Sequence, residues 1–262
     1  YPMPIRVHLH NDIPKWKKVL YKHILKRQDS LIFMTEKLNT FFNSELKKPY
    51  HILPTITDTS RFDIEVEPAD KKYMCYMGNM ELSKDNVDNI IRAFAMISHK
   101  HPELDFYLYG APSPKDKAII EGVIKECKME NRVFIKGRVA ATEVPAILKK
   151  AYLLVSSQPN TKRAEGGFPT KLGEYMATGI PTILTDVGEI SQYVKDGVHV
   201  HIVPPEQPEP YAEKLDWMLN NYDKSLEIAK KAKEYLYNTF DYNIVSSNLY
   251  DFFKKRMSED LK

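Results

Sequence analysis

The stretch EGGFPTKLGEYMATG, Glu165 to Gly179, decides the reading of this chain. Two adjacent glycines and a proline lead into a segment with helical spacing, and a glycine closes it. Immediately before it runs the apolar stretch YLLVSS (Tyr152 to Ser157), and immediately after it comes PTILT (Pro181 to Thr185). Strand, glycine loop, helix and strand in that order form a βα unit of a parallel sheet. Lys171 stands near the start of the helix, where the macrodipole disfavours a cation by about 0.3–1 kcal/mol. Its presence there needs a reason.

Outward from this unit the same alternation continues. YMCYM (73–77), LDFYLYG (104–110), VFIKG (133–137) and VHIV (200–203) complete six strand candidates. Between them lie amphipathic stretches with apolar spacing near 3.6. NVDNIIRAFAMISHKH turns Val87, Ile90, Ile91, Phe94, Ala95 and Ile97 to one face and stops at Pro102. Further helices are expected over 114–129, 142–150, 170–177, 189–194, 209–220, 224–239 and 243–257. The economical architecture is α/β, a Rossmann-like parallel sheet flanked by helices. Ahead of it, IRVHLH and SLIFMT read as strands, and KWKKVLYKHILKR and EKLNTFF as helices. These two units are too few to close a domain. They read as the trailing part of a second, incomplete Rossmann-like domain over 1–55, with PYHILPTITDTSRF as an irregular linker, 56–240 as the main domain, and 241–262 as a returning helix. The chain begins at Tyr1 without a methionine and is expected to be a piece of something longer.

Ligands of open α/β sheets bind beyond the carboxyl ends of the strands, which is where the 158–170 loop falls. Pro169 suits a first helical position, and Gly166 and Gly167 allow close approach of main chain to a ligand. Free amides and the positive helix end would face a phosphate, and an anion there would turn Lys171 from a misfit into a contact. Glu174, three residues beyond Lys171, lies on the same side one turn deeper, placed to accept from ribose hydroxyls. A plainer reading stands beside this one: Lys171 and Glu174 as an exposed helix pair beside an ordinary loop. Spacing alone gives no reaction.

Composition narrows the class. Against 38 Lys+Arg stand 35 Asp+Glu, with no block of one sign, so a nucleic-acid role is not expected. No apolar run approaches a membrane span, and there is no signal-peptide pattern. A soluble cytoplasmic protein is the expectation, with Cys75 and Cys127 as reduced thiols. The pairs His8/His10, His99/His101 and His199/His201 lack a third ligand at familiar spacing, so no metal is expected. Asp63, Glu65 and Glu67 read as a solvated edge.

The segment EGGFPTKLGEYMATGIPTILTDVGEISQYVKDG resembles the central signature of retaining glycosyltransferases of the GT-B fold, of the group 1 (family 4) type. CYMGNMELSKDNVDNIIRAF resembles the opening of that family's donor-binding domain, and NRVFIKGRVAATEVPAILKKAYLLVSSQ its middle. HILPTITDTSRF resembles the linker, and RVHLHND the end of the acceptor-side domain. The resemblance implies a UDP- or GDP-linked sugar donor bound between Gly78 and the loop Gly166, Gly167, Phe168, Pro169, Thr170, Lys171. Lys84 would contact the diphosphate. The family's arginine after the glycine is Asn79 here, so one positive charge is missing, and Lys171 is the candidate replacement. Glu174 matches the ribose-holding carboxylate of the family's E-x7-E pattern. Glu165 matches the first carboxylate, beside the donor sugar, although an extra glycine makes the spacing E-x8-E. Arg138 and Val139 would meet the base, and His10 would lie near the donor sugar.

The implied chemistry is hexose transfer to a hydroxyl of a saccharide or lipid-linked acceptor with retention, in polysaccharide or glycolipid synthesis. It requires no cofactor and no metal. A lipid-linked acceptor would bring peripheral membrane contact. The rival expectation is a nucleotide-sugar binding module without turnover, because the acceptor domain is incomplete. A sugar-nucleotide epimerase would need a pair of acid/base carboxylates that the sequence does not offer.

Overall fold

In a computed structural model, which describes residues 15 to 260, the chain forms two parallel sheets. The first carries Leu31–Phe33 (β1) beside Tyr50–Ile52 (β2), accompanied by Lys15–Lys26 (α1) and Glu36–Asn43 (α2). The second has six strands: Tyr73–Met77 (β3), Asp105–Tyr109 (β4), Val133–Gly137 (β5), Leu153–Val155 (β6), Thr182–Thr185 (β7) and His201–Val203 (β8). Every expected strand of the larger sheet is present. β2 was not anticipated: it falls inside the segment read as irregular linker. The expected strand IRVHLH lies outside the described residues.

The connecting helices are Val87–Ile97 (α3), Pro114–Glu126 (α4), Val144–Lys150 (α5), Lys162–Glu165 (α6), Thr170–Thr178 (α7), Ile190–Tyr193 (α8), Pro208–Asn220 (α9), Tyr222–Thr239 (α10) and Tyr242–Asp260 (α11). Local chemistry explains their ends. Ser113 caps α4 by accepting from the Asp116 amide, with Pro114 behind it. Gly179 ends α7 in the left-handed conformation, at φ 72°.

Strand order in the large sheet is β5-β4-β3-β6-β7-β8. The chain therefore builds outward from β3 to one edge, then returns to β6 and builds to the other. The crevice at the carboxyl ends of β3 and β6 is the switch point, the expected ligand position in such a sheet. Both faces are covered, which is why the strands read as nearly unbroken apolar runs. Met74 and Tyr76 enter the core under α3, α4 and α9, while Tyr73 and Cys75 enter the core under α5, α7 and α10. Along α3, Val87, Ile90, Ile91, Phe94 and Ile97 are buried as their spacing requires. Ala95 is only partly covered, and Ala93 is buried instead.

The chain passes between the two sheets twice, and the two passages are clasped together. The Thr57 amide donates to the Phe240 carbonyl (3.0 Å) and the Tyr242 amide to the Thr57 carbonyl (2.9 Å). The Thr59 hydroxyl donates to Asp241 Oδ2 at 2.6 Å. A second set of contacts joins the small sheet and α2 to the loop after β7 and to the switch-point loop. The buried Glu189 carboxylate accepts the amides of Glu36 (3.0 Å) and Lys37 (2.8 Å), supplying partners for the open end of α2. The Thr35 hydroxyl donates to the Gly166 carbonyl (3.3 Å), and the Phe168 amide to Met34 Sδ (3.2 Å).

Candidate active site

Gly78 lies directly beyond β3, and its surroundings explain its identity. A Cβ there would stand 2.5 Å from the Tyr76 hydroxyl and 2.9 Å from Lys171 Nζ. On its other side the carbonyl of Gly78 would be 1.7 Å from a Cβ on Gly110, whose φ of 140° already favours glycine. The strand ends are thus drawn together in a way only two glycines permit. Met80, buried in the same loop, adopts the left-handed region at φ 53°. Backbone of this kind in a bulky residue persists only where its surroundings hold it.

Opposite this loop, α7 begins at Thr170. Pro169 is the capping residue just outside the helix, at φ −73° and ψ 96°, one position earlier than the expected first helical residue. The amides of Thr170 and Lys171 have no hydrogen-bond partner among the described residues. Those of Gly167 and Phe168 are already committed, to the Ala164 carbonyl and to Met34 Sδ. The Phe168 side chain is buried against Tyr193 and Phe240, so it anchors the loop from beneath.

Lys171 turns inward. Its ammonium donates to the Tyr76 hydroxyl and to Asp85 Oδ1, both at 2.9 Å, and lies 4.2 Å from the Tyr76 ring centre. Burial pulls this ammonium below the usual lysine range, with Asp85 opposing and Lys84 adding to the depression. The Tyr76 phenol is pushed well above its ordinary value, by burial first and then by Asp85. The exposed pairing of Lys171 with Glu174 does not occur. Nor is Lys171 a bare charge, since Asp85 offsets it.

Glu174 instead accepts from Arg61 Nη1 at 3.0 Å, and the same guanidinium donates through Nη2 to the Ala141 carbonyl at 3.0 Å. Arg61 thereby ties the linker to Glu174 and to the loop after β5, where Arg138 is exposed and Val139 half-buried. Glu165 ends the short helix α6, half-exposed, 3.8 Å from Lys37 Nζ. Lys84 is half-buried in the loop after β3, and Asn79 is exposed beside Gly78. His10 lies outside the described residues.

Three participants were not found by reading the sequence: Asp85, Arg61 and Arg163. Arg163, on α6, reaches across to Glu81 in the loop after β3, with Nη1 at 2.8 Å from Oε1. The short helix α6 was not anticipated, its segment having been read as loop; the signal that could have found it is Thr161, whose hydroxyl accepts from the Ala164 amide as a cap. Among the described residues no three His, Cys, Asp or Glu side chains converge as metal ligands. His101 pairs with Asp216 (2.8 Å), and His199 stacks on Tyr235. No helix among the described residues is long and apolar enough to cross a membrane.

A doubly wound sheet with glycine-lined loops and an open helix end at its switch point forms a crevice suited to an anionic ligand. The profile of the family glycosyl transferases group 1 matches residues 58–235, and the chain belongs to that family. An uncharacterised glycosyltransferase of Methanocaldococcus jannaschii is 22% identical over 188 residues, covering 72% of this chain and 46% of that protein. A glycosyltransferase from Rickettsia africae superposes with a TM-score of 0.77 at 17% identity, over 94% of this chain and 68% of that one. Anabaena HepE, solved with UDP and glucose, superposes with a TM-score of 0.78 at 15% identity, over 93% of this chain and 68% of its own. The fold is that of GT-B glycosyltransferases. The chain spans less than half the length of the M. jannaschii relative and about two thirds of the solved chains.

Proposed function

We propose that this chain provides the donor side of a retaining glycosyltransferase, which moves a hexose-type sugar from a UDP- or GDP-linked donor to a hydroxyl of a saccharide or lipid-linked acceptor. The observation that carries this reading is the meeting, at one switch point, of Gly78, Lys84 and the unpartnered first-turn amides of α7. Substitution at the anomeric carbon builds negative charge on the departing phosphate oxygen. Positive charge and aligned N–H groups fixed in place before the reaction lower its barrier. Lys84 and the Thr170 and Lys171 amides fill that role. Glu174 takes the ribose hydroxyls, and the Arg138–Val139 main chain the base. Glu165 stands toward the donor sugar. The departing diphosphate, so held, accepts the proton of the acceptor hydroxyl on the same face, giving retention without a metal.

The test is incubation of the protein with UDP- and GDP-hexoses, following donor hydrolysis and transfer by NMR. Release of nucleoside diphosphate with the anomeric configuration kept in the product supports the reading. A nucleoside diphosphate that raises the melting temperature, with neither hydrolysis nor transfer, would make the protein a binding module.

A further inference from the structure

Arg163 holds a guanidinium that the fold has buried without fully using. It lies on a four-residue surface helix, yet its side chain is only 14% exposed, because it runs inward beneath the loop after β3. Nη1 is bound to Glu81 Oε1 at 2.8 Å. Nη2 is buried and has no hydrogen-bond partner among the described residues. A buried charged donor left unpaired costs free energy that an incoming acceptor would recover.

Its position is specific. The Arg163 carbonyl sits 3.2 Å from where a Cβ on Gly167 would be, so the residue is packed against the glycine loop that leads into α7. Its side chain ends at Glu81, whose carbonyl accepts the amides of Lys84 (2.7 Å) and Asp85 (2.6 Å). Arg163 therefore spans the crevice, from one loop of the switch point to the other. Asp85 engages Lys171, and Asn79 brings no charge to the mouth of the site, whereas Arg163 keeps one N–H group uncommitted after pairing with Glu81.

We propose that Arg163 binds the diphosphate of the donor, its free Nη2 taking a phosphate oxygen while Glu81 holds Nη1 in register. A guanidinium suits this task because its fork can serve a carboxylate and a phosphate together. The assignment rests on the donor reading above and adds to it a residue from a different loop.

Isothermal titration of UDP, GDP and ADP, and of the matching nucleosides, tests it on the wild type, R163Q, R163K and the double variant N79R/R163Q. A charged hydrogen bond of this kind corresponds to about tenfold or more in affinity. R163Q is expected to lose that much for the diphosphate and less than about twofold for the nucleoside, a split that general loosening of the site would not give. N79R/R163Q is expected to regain most of the loss, by returning a guanidinium to the mouth from the other loop. Should R163Q fail to fold, R163K keeps the charge but lacks the fork, and is expected to lose diphosphate affinity selectively. Equal losses for nucleoside and diphosphate, or unchanged affinities, overturn the proposal. If the wild type binds none of the three diphosphates, the donor reading itself fails, and this assignment with it.

Discussion

The ammonium of Lys171 and the carboxylate of Asp85 meet at 2.9 Å, with their side chains 13% and 1% exposed. Removing one partner of such a pair strands the other charge away from water, at a cost of about 3–5 kcal/mol. Asp85→Asn is therefore expected to lower unfolding free energy by about 3 kcal/mol. The double variant D85N/K171M, which removes both charges, should recover most of that loss. Urea unfolding of the two single variants and the double variant measures the coupling. Additive losses would mean that the pair is not an energetic unit.

Glu174 and Arg61 behave differently, because both side chains are about a third exposed. Exposed pairs contribute about 0–1 kcal/mol, so Glu174→Ala should hardly change stability. It should weaken nucleoside diphosphate binding about tenfold, through lost ribose contacts. The wild type should also prefer ribonucleotides to 2′-deoxyribonucleotides, and the variant should not. Titration calorimetry with UDP and dUDP reads both effects. A variant that still discriminates removes the ribose role.

Glu189 is expected to be a stability determinant although it lies apart from the switch-point crevice. Its buried carboxylate is shared by two α2 amides, and loss of a cap of this type costs about 1–2 kcal/mol. Glu189→Ala should fall in that range, and Glu189→Gln, which keeps an acceptor, should lose less. Thermal unfolding followed by circular dichroism distinguishes them.

His201 sets an acid limit. Its ring is buried edge-on against Trp217, 5.4 Å between centres, with Nδ1 4.0 Å from Asp196 and Nε2 3.5 Å from Ser225 Oγ. Burial, and then Lys214, bring its pKa from 6.5 down to about 4, against the pull of Asp196. The unfolded chain thus takes up this proton first. Stability is fully present above pH 6.5 and declines as pH falls toward about 4, by an amount on the order of 3 kcal/mol. Unfolding midpoints across this window should fall less steeply for His201→Phe than for the wild type.

The large sheet was legible because both its faces are covered, so each strand is a compact apolar run between turn signals. β2 was not. Its three residues are partly or wholly exposed, lie between Pro49 and Pro54, and are ordered by pairing with β1, which no local pattern announces. In the site, the glycines and the start of α7 could be read from the sequence, because they are local features. The partner of Lys171 could not, since Asp85 lies 86 residues away and an aspartate ahead of a helix reads as an ordinary cap. Arg61 was hidden in a segment taken for linker. Phe168 was read within the ligand loop, whereas its ring belongs to the core and only its backbone shapes the opening.

The clasp at Thr57 and Asp241 holds the two sheets together at one place, and the contacts of Met34, Thr35 and Glu189 hold them at another. A swing of the small sheet cannot leave the Gly166–Phe168 loop behind without breaking those bonds. The mouth of the crevice is thereby tied to the position of the neighbouring sheet by side chains outside the crevice itself.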